Sequence, residues 1–188
     1  MMDGAVAQSM RDKGAAYRLN WGATLPRLRE MADTLGKDYP LAAALWKEDV
    51  RECKILATML MPPGEMLPEV ADIWMDQTPT QEIAEQAAFN LYQHLPYAPA
   101  LAYRWIAAAE PLRQLCGFHI LTRLFMNRQE PNERGIHEFI DQATAALLGG
   151  TPAVRKAAML CVQRFAGLGL VYQRMAKNAL KQANLDFL

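Results

Sequence analysis

Residues 45–61, LWKEDVRECKILATMLM, contain a helix end, a turn and an abrupt new helix start, and the fold follows from how that start is built. Asp49 stands where a cap is expected for a helix beginning at Val50, with Glu52 three residues on. A carboxylate there accepts one of the four orphan amides of the first turn, and Glu52 can reach back to the cap's own amide. Arg51 and Lys54 fall in the first turn and a half of the same helix. The N-terminal end of a helix carries partial positive charge, so cations there are unfavourable unless an anion faces them. Two readings follow. Either Glu48, Asp49 and Glu52 match these cations in solvent, or several such starts line a face that meets an anion.

Working outward, the chain reads as helix pairs. Residues 40–46 lead into 50–61, 67–75 into 80–94, 98–109 into 111–126, and 132–148 into 152–166. Ahead of them come a short helix over 1–13, a loop at Tyr17 and Arg18, and a Thr24-Leu25-Pro26 helix start with Leu28, Met31, Ala32 and Leu35 at helical spacing. Behind them a last helix, about 170–183, serves as a cap. No segment of convincing length alternates with period two, so the protein is expected to be all-α, a single helical-repeat domain over 1–188.

The second helix of each pair begins alike. Asp49, then Thr78-Pro79 or Thr80, then Glu110-Pro111 and Thr151-Pro152 each offer a capping acceptor, three of them beside a proline suited to the first helical position. RECKILA, EIAEQAAF, RQLCGFH and RKAAMLC share a polar first turn and an apolar continuation. Starts near 50, 80, 111 and 152 recur at the period of a helical-hairpin solenoid, which would set the polar turns along one surface.

Composition narrows the function. With 52% hydrophobic residues the chain can bury a core, and no apolar run approaches the ~20 residues of a membrane span. The first residues lack the apolar centre of a secretory signal, so a cytoplasmic protein without membrane contact is expected. Cys53, Cys116 and Cys161 sit in separate apolar helices and read as free thiols. His94, His119 and His137 are scattered, and neither a metal site nor a cofactor is expected. The net charge is zero, yet residues 62–103 contain six acids and no Lys or Arg, while 151–185 contain six cations and no Asp or Glu. A phosphate partner would favour the basic part.

Residues 20–60, NWGATLPRLREMADTLGKDYPLAAALWKEDVRECKILATML, resemble the opening repeats of the AlkD-like DNA alkylation repair proteins. The likeness lies in the aromatic-Gly-x-x-x-Pro-x-Leu-Arg segment, the Leu-Trp helix end and the Val-Arg-Glu-x-Lys-Ile-Leu-Ala helix. TQEIAEQAAFNLY at 80–92 resembles the next inner helix, and TPAVRKAAMLCVQRFAG at 151–167 a later one. The resemblance implies a right-handed α-solenoid of HEAT-like helix pairs with a basic concave face for duplex DNA. It also implies excision of cationic alkylated purines, with aromatic residues on the lesion, a carboxylate near the deoxyribose and an arginine on the DNA. A cationic base is already a good leaving group, so stabilising the oxocarbenium-like sugar is the main task.

Matched residue by residue, the resemblance puts Glu85 at the family's catalytic carboxylate and Gln81 at its tryptophan. The arginine falls at Gln114 or Leu115, with Arg113 the nearby substitute, and the later aromatic falls at Leu160. Arg51, Lys54, Gln81, Arg113, Arg155 and Lys156 are the expected DNA contacts, and Trp21, Trp46, Trp74 and Trp105 the expected packing anchors between repeats. The expected function is duplex DNA binding, alkylated or not, with weak or absent glycosylase activity. The alternative is a non-catalytic scaffold for a protein partner.

Overall fold

The structure, a computed structural model, describes residues 21–185 and divides into two compact units, Met1–Pro96 and Tyr97–Leu188. The helix expected over 1–13 and the Tyr17-Arg18 loop lie outside the described residues. Among the described residues every regular element is helical.

In the first unit the helices are α1 (Leu25–Leu35), α2 (Tyr39–Lys47), α3 (Arg51–Leu60), α4 (Pro68–Asp76) and α5 (Gln81–Asn90). Single 3₁₀ turns follow α3 at Pro63–Glu65 and α5 at Tyr92–His94. Local chemistry sets the boundaries. Pro26 opens α1 and Gly36, at φ 74°, ends it, a backbone conformation that glycine adopts without a Cβ penalty. Asp38 Oδ1 accepts from Leu41 N at 2.8 Å to start α2, and Thr80 accepts from Ile83 N at 3.4 Å to start α5. Thr78 is no cap: its hydroxyl donates back to the Trp74 carbonyl. The α5 helix stops four residues short of the expected 94 because Leu91 leaves helical geometry at φ −132°.

The α3 start differs from expectation. Val50, not Asp49, occupies the cap position, and no side chain caps the helix. Glu52 does not fold back on the turn; it accepts from Trp21 N at 3.1 Å and Ala23 N at 3.2 Å, fastening the segment before α1 to α3. A buried carboxylate is stable only where hydrogen-bond donors replace its water, and those two amides supply them.

Helices α2 and α3 form a close pair, and α3 packs also on α1 and α5. The contact face of α5 is built from Ile83, Ala84, Ala87 and Ala88, all fully buried. Small residues let the helix axes approach, with Ile55 and Leu60 of α3 filling the same core. At the α2–α4 contact the rings of Trp46 and Trp74 lie parallel, 4.2 Å apart, and Trp46 Nε1 donates to Gln77 Oε1 at 2.9 Å. The Trp46 indole is thus both an apolar anchor and a satisfied donor.

In the second unit come α6 (Ala98–Ile106), α7 (Pro111–Met126), α8 (Glu133–Gly149), α9 (Pro152–Ala166) and α10 (Leu170–Gln182). Thr151 caps α9 through Val154 N and Asn132 caps α8 through Gly135 N, whereas Glu110 precedes Pro111 without a capping side-chain bond. Helix α7 packs on both α6 and α9, and α9 packs also on α8 and α10. Gly117 makes the α6–α7 approach possible, since a Cβ there would lie 2.8 Å from Ile106 N. Phe125, Phe139, Phe165 and Tyr172 bring α7 to α10 together in one aromatic cluster, with ring centres 4.9–5.6 Å apart.

Candidate nucleic-acid interface

In the first unit the expected contact residues stand at the starts of α3 and α5. Arg51 is only 2% exposed. Its Nε donates to Glu82 Oε2 at 2.9 Å and its Nη2 to Glu82 Oε1 at 2.6 Å, a two-bond fork, while Nη1 reaches Glu52 Oε1 at 3.2 Å and the Ala23 carbonyl at 3.1 Å. Burial opposes the charged guanidinium, but the hydrogen bond and charge of Glu82, with Glu52 behind it, outweigh that cost and hold its pKa above the ordinary value. A guanidinium so enclosed has no edge left for a phosphate. Lys54 is buried as well: Nζ donates to the Trp46 carbonyl at 2.8 Å and lies 4.7 Å from the Trp46 ring centre. Burial lowers its pKa. The cations expected to face an anion in front of α3 therefore face inward; the counter-charge of Arg51 comes from Glu82 and Glu52, and that of Lys54 from Asp49.

What α5 shows to solvent is a different set. Gln81, Glu85 and Phe89 recur every four residues along one stripe. Gln81 Nε2 donates to Glu85 Oε1 at 2.7 Å, orienting the carboxylate, and the Arg29 guanidinium of α1 lies 5.4 Å from the centre of the exposed Phe89 ring. The cavity beside α1, of about 480 Å³, is lined by Trp21, Leu28, Met31, Leu45, Glu52 and Cys53 among others. Burial, with Glu48 and Glu52 nearby, pushes the Cys53 thiol up, so it makes a poor nucleophile.

In the second unit Arg113 is half-buried, its guanidinium 5.8 Å from the Trp105 ring centre. Gln114 Nε2 reaches the Ile106 carbonyl at 3.4 Å, at the end of α6, and Leu115 is core. Arg155 and Lys156 are exposed in the first two turns of α9, which has no acidic residue in its first turn.

A family model described as DNA alkylation repair enzyme matches residues 2–148. The chain belongs to the DNA alkylation repair family. A solved structure, described as a new family of proteins related to the HEAT-like repeat DNA glycosylases with affinity for branched DNA structures, superposes with a TM-score of 0.85. That likeness covers 97% of this chain and 78% of the other at 15% identity, and it identifies the fold as the HEAT-like helical-repeat fold. Nothing among the curated proteins matches the chain.

Set against the family pattern, Gln81 and Glu85 occupy neighbouring turns and touch, so the aligned pair is brought together. Leu160, half-buried in α9, offers no aromatic face there. Three of the four tryptophans, Trp46, Trp74 and Trp105, are buried anchors, whereas Trp21 is 39% exposed and lines the α1 cavity. Sequence reading missed Arg29 and Phe89 as a cation–aromatic pair and missed Glu82 as the partner of Arg51. The signal for the second was available: 31 residues separate Arg51 from Glu82, within one residue of the step between the helix starts at Arg51 and Gln81.

Proposed function

We propose that this protein binds DNA through its sugar–phosphate backbone and does not excise alkylated bases. The observation that carries the reading is the start of α9. A Thr151-capped, proline-led helix end presents Arg155 and Lys156 to solvent with no acid in its first turn, inside a chain of the DNA alkylation repair family. The Val154 and Arg155 amides are already used by Thr151, so the attraction for an anion comes from the two exposed cations and the positive end of the helix. The affinity for branched DNA described for the structural neighbour supports the same partner.

Against excision stand the surroundings of Glu85. A cationic purine needs an aromatic face beside the carboxylate, and the ring one turn on, Phe89, already has the Arg29 guanidinium over it. Where the family places an indole, Gln81 supplies an amide instead, and that amide is used to hold Glu85. Glu85 is then a positioned carboxylate without a lesion reader.

The test is incubation of the protein with plain duplex, four-way-junction and methylated-purine DNA, scoring anisotropy and base release. The expected result is salt-sensitive binding to all three with base release at the spontaneous rate, in wild type and in Glu85→Gln alike. Base release that Glu85→Gln abolishes would overturn the non-excising reading. An absence of binding at low salt would overturn DNA as the partner, and would favour a protein scaffold acting through α4, where Leu67 and Ile73 are exposed among Glu65, Glu69 and Asp76.

A further inference from the structure

The hairpin of α9 and α10 carries Arg155, Lys156, Arg164, Arg174, Lys177 and Lys181, all exposed, and none of these side chains makes an ion pair or hydrogen bond among the described residues. Residues 151–185 contain no Asp or Glu. The elements packed against the hairpin do not neutralise it either. Glu130, in the loop before α8, is occupied by the Tyr172 hydroxyl at 2.8 Å, and Glu133, Glu138 and Asp141 of α8 pair with none of the six. Six cations on one hairpin repel one another, a cost that an external polyanion removes.

On α10 the arrangement is regular. Arg174, Lys177 and Lys181 fall three and four residues apart, so they form one stripe, on the side away from the buried Ala176 and Leu180. Seven residues of helix span about 10 Å, enough for consecutive phosphates of one strand. Gln173 and Asn178 flank the stripe, and no aromatic side chain on it is offered for stacking on a base.

We infer that the α10 stripe of Arg174, Lys177 and Lys181 is a second DNA contact, gripping the phosphate backbone of a duplex arm without reading sequence. The inference rests on the DNA-binding reading and goes beyond it by assigning α10, expected only to cap the repeat stack, a share of the binding. Three phosphate contacts add about 2.7 to the slope of log affinity against log salt.

The experiment compares wild type, Arg174→Ala/Lys177→Ala/Lys181→Ala and a Lys47→Ala control on a fluorescent duplex and a four-way junction across a salt series. Alanine is the strongest helix former, so α10 is preserved, which circular dichroism checks. The triple variant is expected to lose a slope of two to three, so that between 50 and 200 mM salt its affinity falls about 40-fold less than that of wild type, with the control unchanged. Wild-type binding with an unaltered slope in the triple variant overturns the α10 contact while leaving DNA binding in place. Failure of wild type to bind overturns both. Sedimentation of the two proteins supplies the remaining outcome: loss of a self-associated species in the triple variant, with unaltered slope, would assign the stripe to a second copy and overturn the inference.

Discussion

Replacing Arg51 with Met separates a structural cation from a DNA contact. The thioether refills the space of the aliphatic stem but removes four hydrogen bonds, two to Glu82, one to Glu52 and one to the Ala23 carbonyl. Glu52, with its side chain 4% exposed, is left as a buried carboxylate without its counter-charge. Breaking a buried ion pair from one side costs about 3–5 kcal/mol. Two features place this case at the low end: Glu82 is 37% exposed and regains water, and Glu52 keeps the Trp21 and Ala23 amides. The expected loss is about 3 kcal/mol. Glu82→Gln, which keeps an acceptor, costs about 1 kcal/mol, and the double variant little more than Arg51→Met alone, a coupling of about 1 kcal/mol. Urea unfolding, followed by near-ultraviolet circular dichroism of the stacked Trp46–Trp74 pair, measures all three at constant m. The reasoning is refuted if Arg51→Met loses under about 1 kcal/mol while the salt slope of DNA binding drops by about 0.9, the signature of one lost phosphate contact.

Gly117→Ala should destabilise the second unit by about 1–2 kcal/mol, because overpacking against the Ile106 and Ala102 backbone outweighs the helix-propensity gain, whereas Gly149→Ala, with nothing within 4 Å, should stabilise; unfolding followed at Trp105 reads both signs. Lys54 gives a pH-dependent prediction. Its folded pKa lies below the unfolded value of 10.5, so between the two the unfolded chain holds more protons and stability rises with pH, levelling off above the unfolded value. Lys54→Met should flatten that part of the profile, seen as urea midpoints of variant and wild type that converge as pH rises from neutral to about 10.

Much of this architecture was legible because helix starts are written in local chemistry. Thr151-Pro152, Thr80 and Pro111 open their helices at the residues expected, and the apolar continuations fill the cores of the two units. The expectation about Asp49 missed because capping is only one use for a carboxylate near a helix end. Glu52 had a better partner set in the amides of Trp21 and Ala23, which lie 31 and 29 residues earlier and are invisible to a reading of neighbours. Burial was the other hidden quantity. Nothing in ECKILA distinguishes a lysine that tucks its ammonium onto the Trp46 carbonyl from one that reaches for solvent, and only the position of α2 decides it.

The repeat period carried more information than the spacing of starts. In the first unit Trp21 bonds Glu52 and Trp46 bonds Gln77 across 31 residues, Arg51 bonds Glu82 across 31, and Asn90 bonds Thr58 across 32, so side-chain bonds between repeats recur at about one repeat length. Read in that register, Glu82 is not an acidic interruption of a basic row; it is the counter-charge of Arg51, and the first unit neutralises its own helix starts. In the second unit the corresponding step is longer, with Pro111 and Pro152 opening packed helices 41 residues apart. At the start of α9 Arg155 and Lys156 are exposed, with no acid in the first turn and no ion pair to either among the described residues. The same polar first turn is therefore closed on itself at α3 and left without an acidic partner at α9, and a phosphate is a partner that α9 is still able to accept.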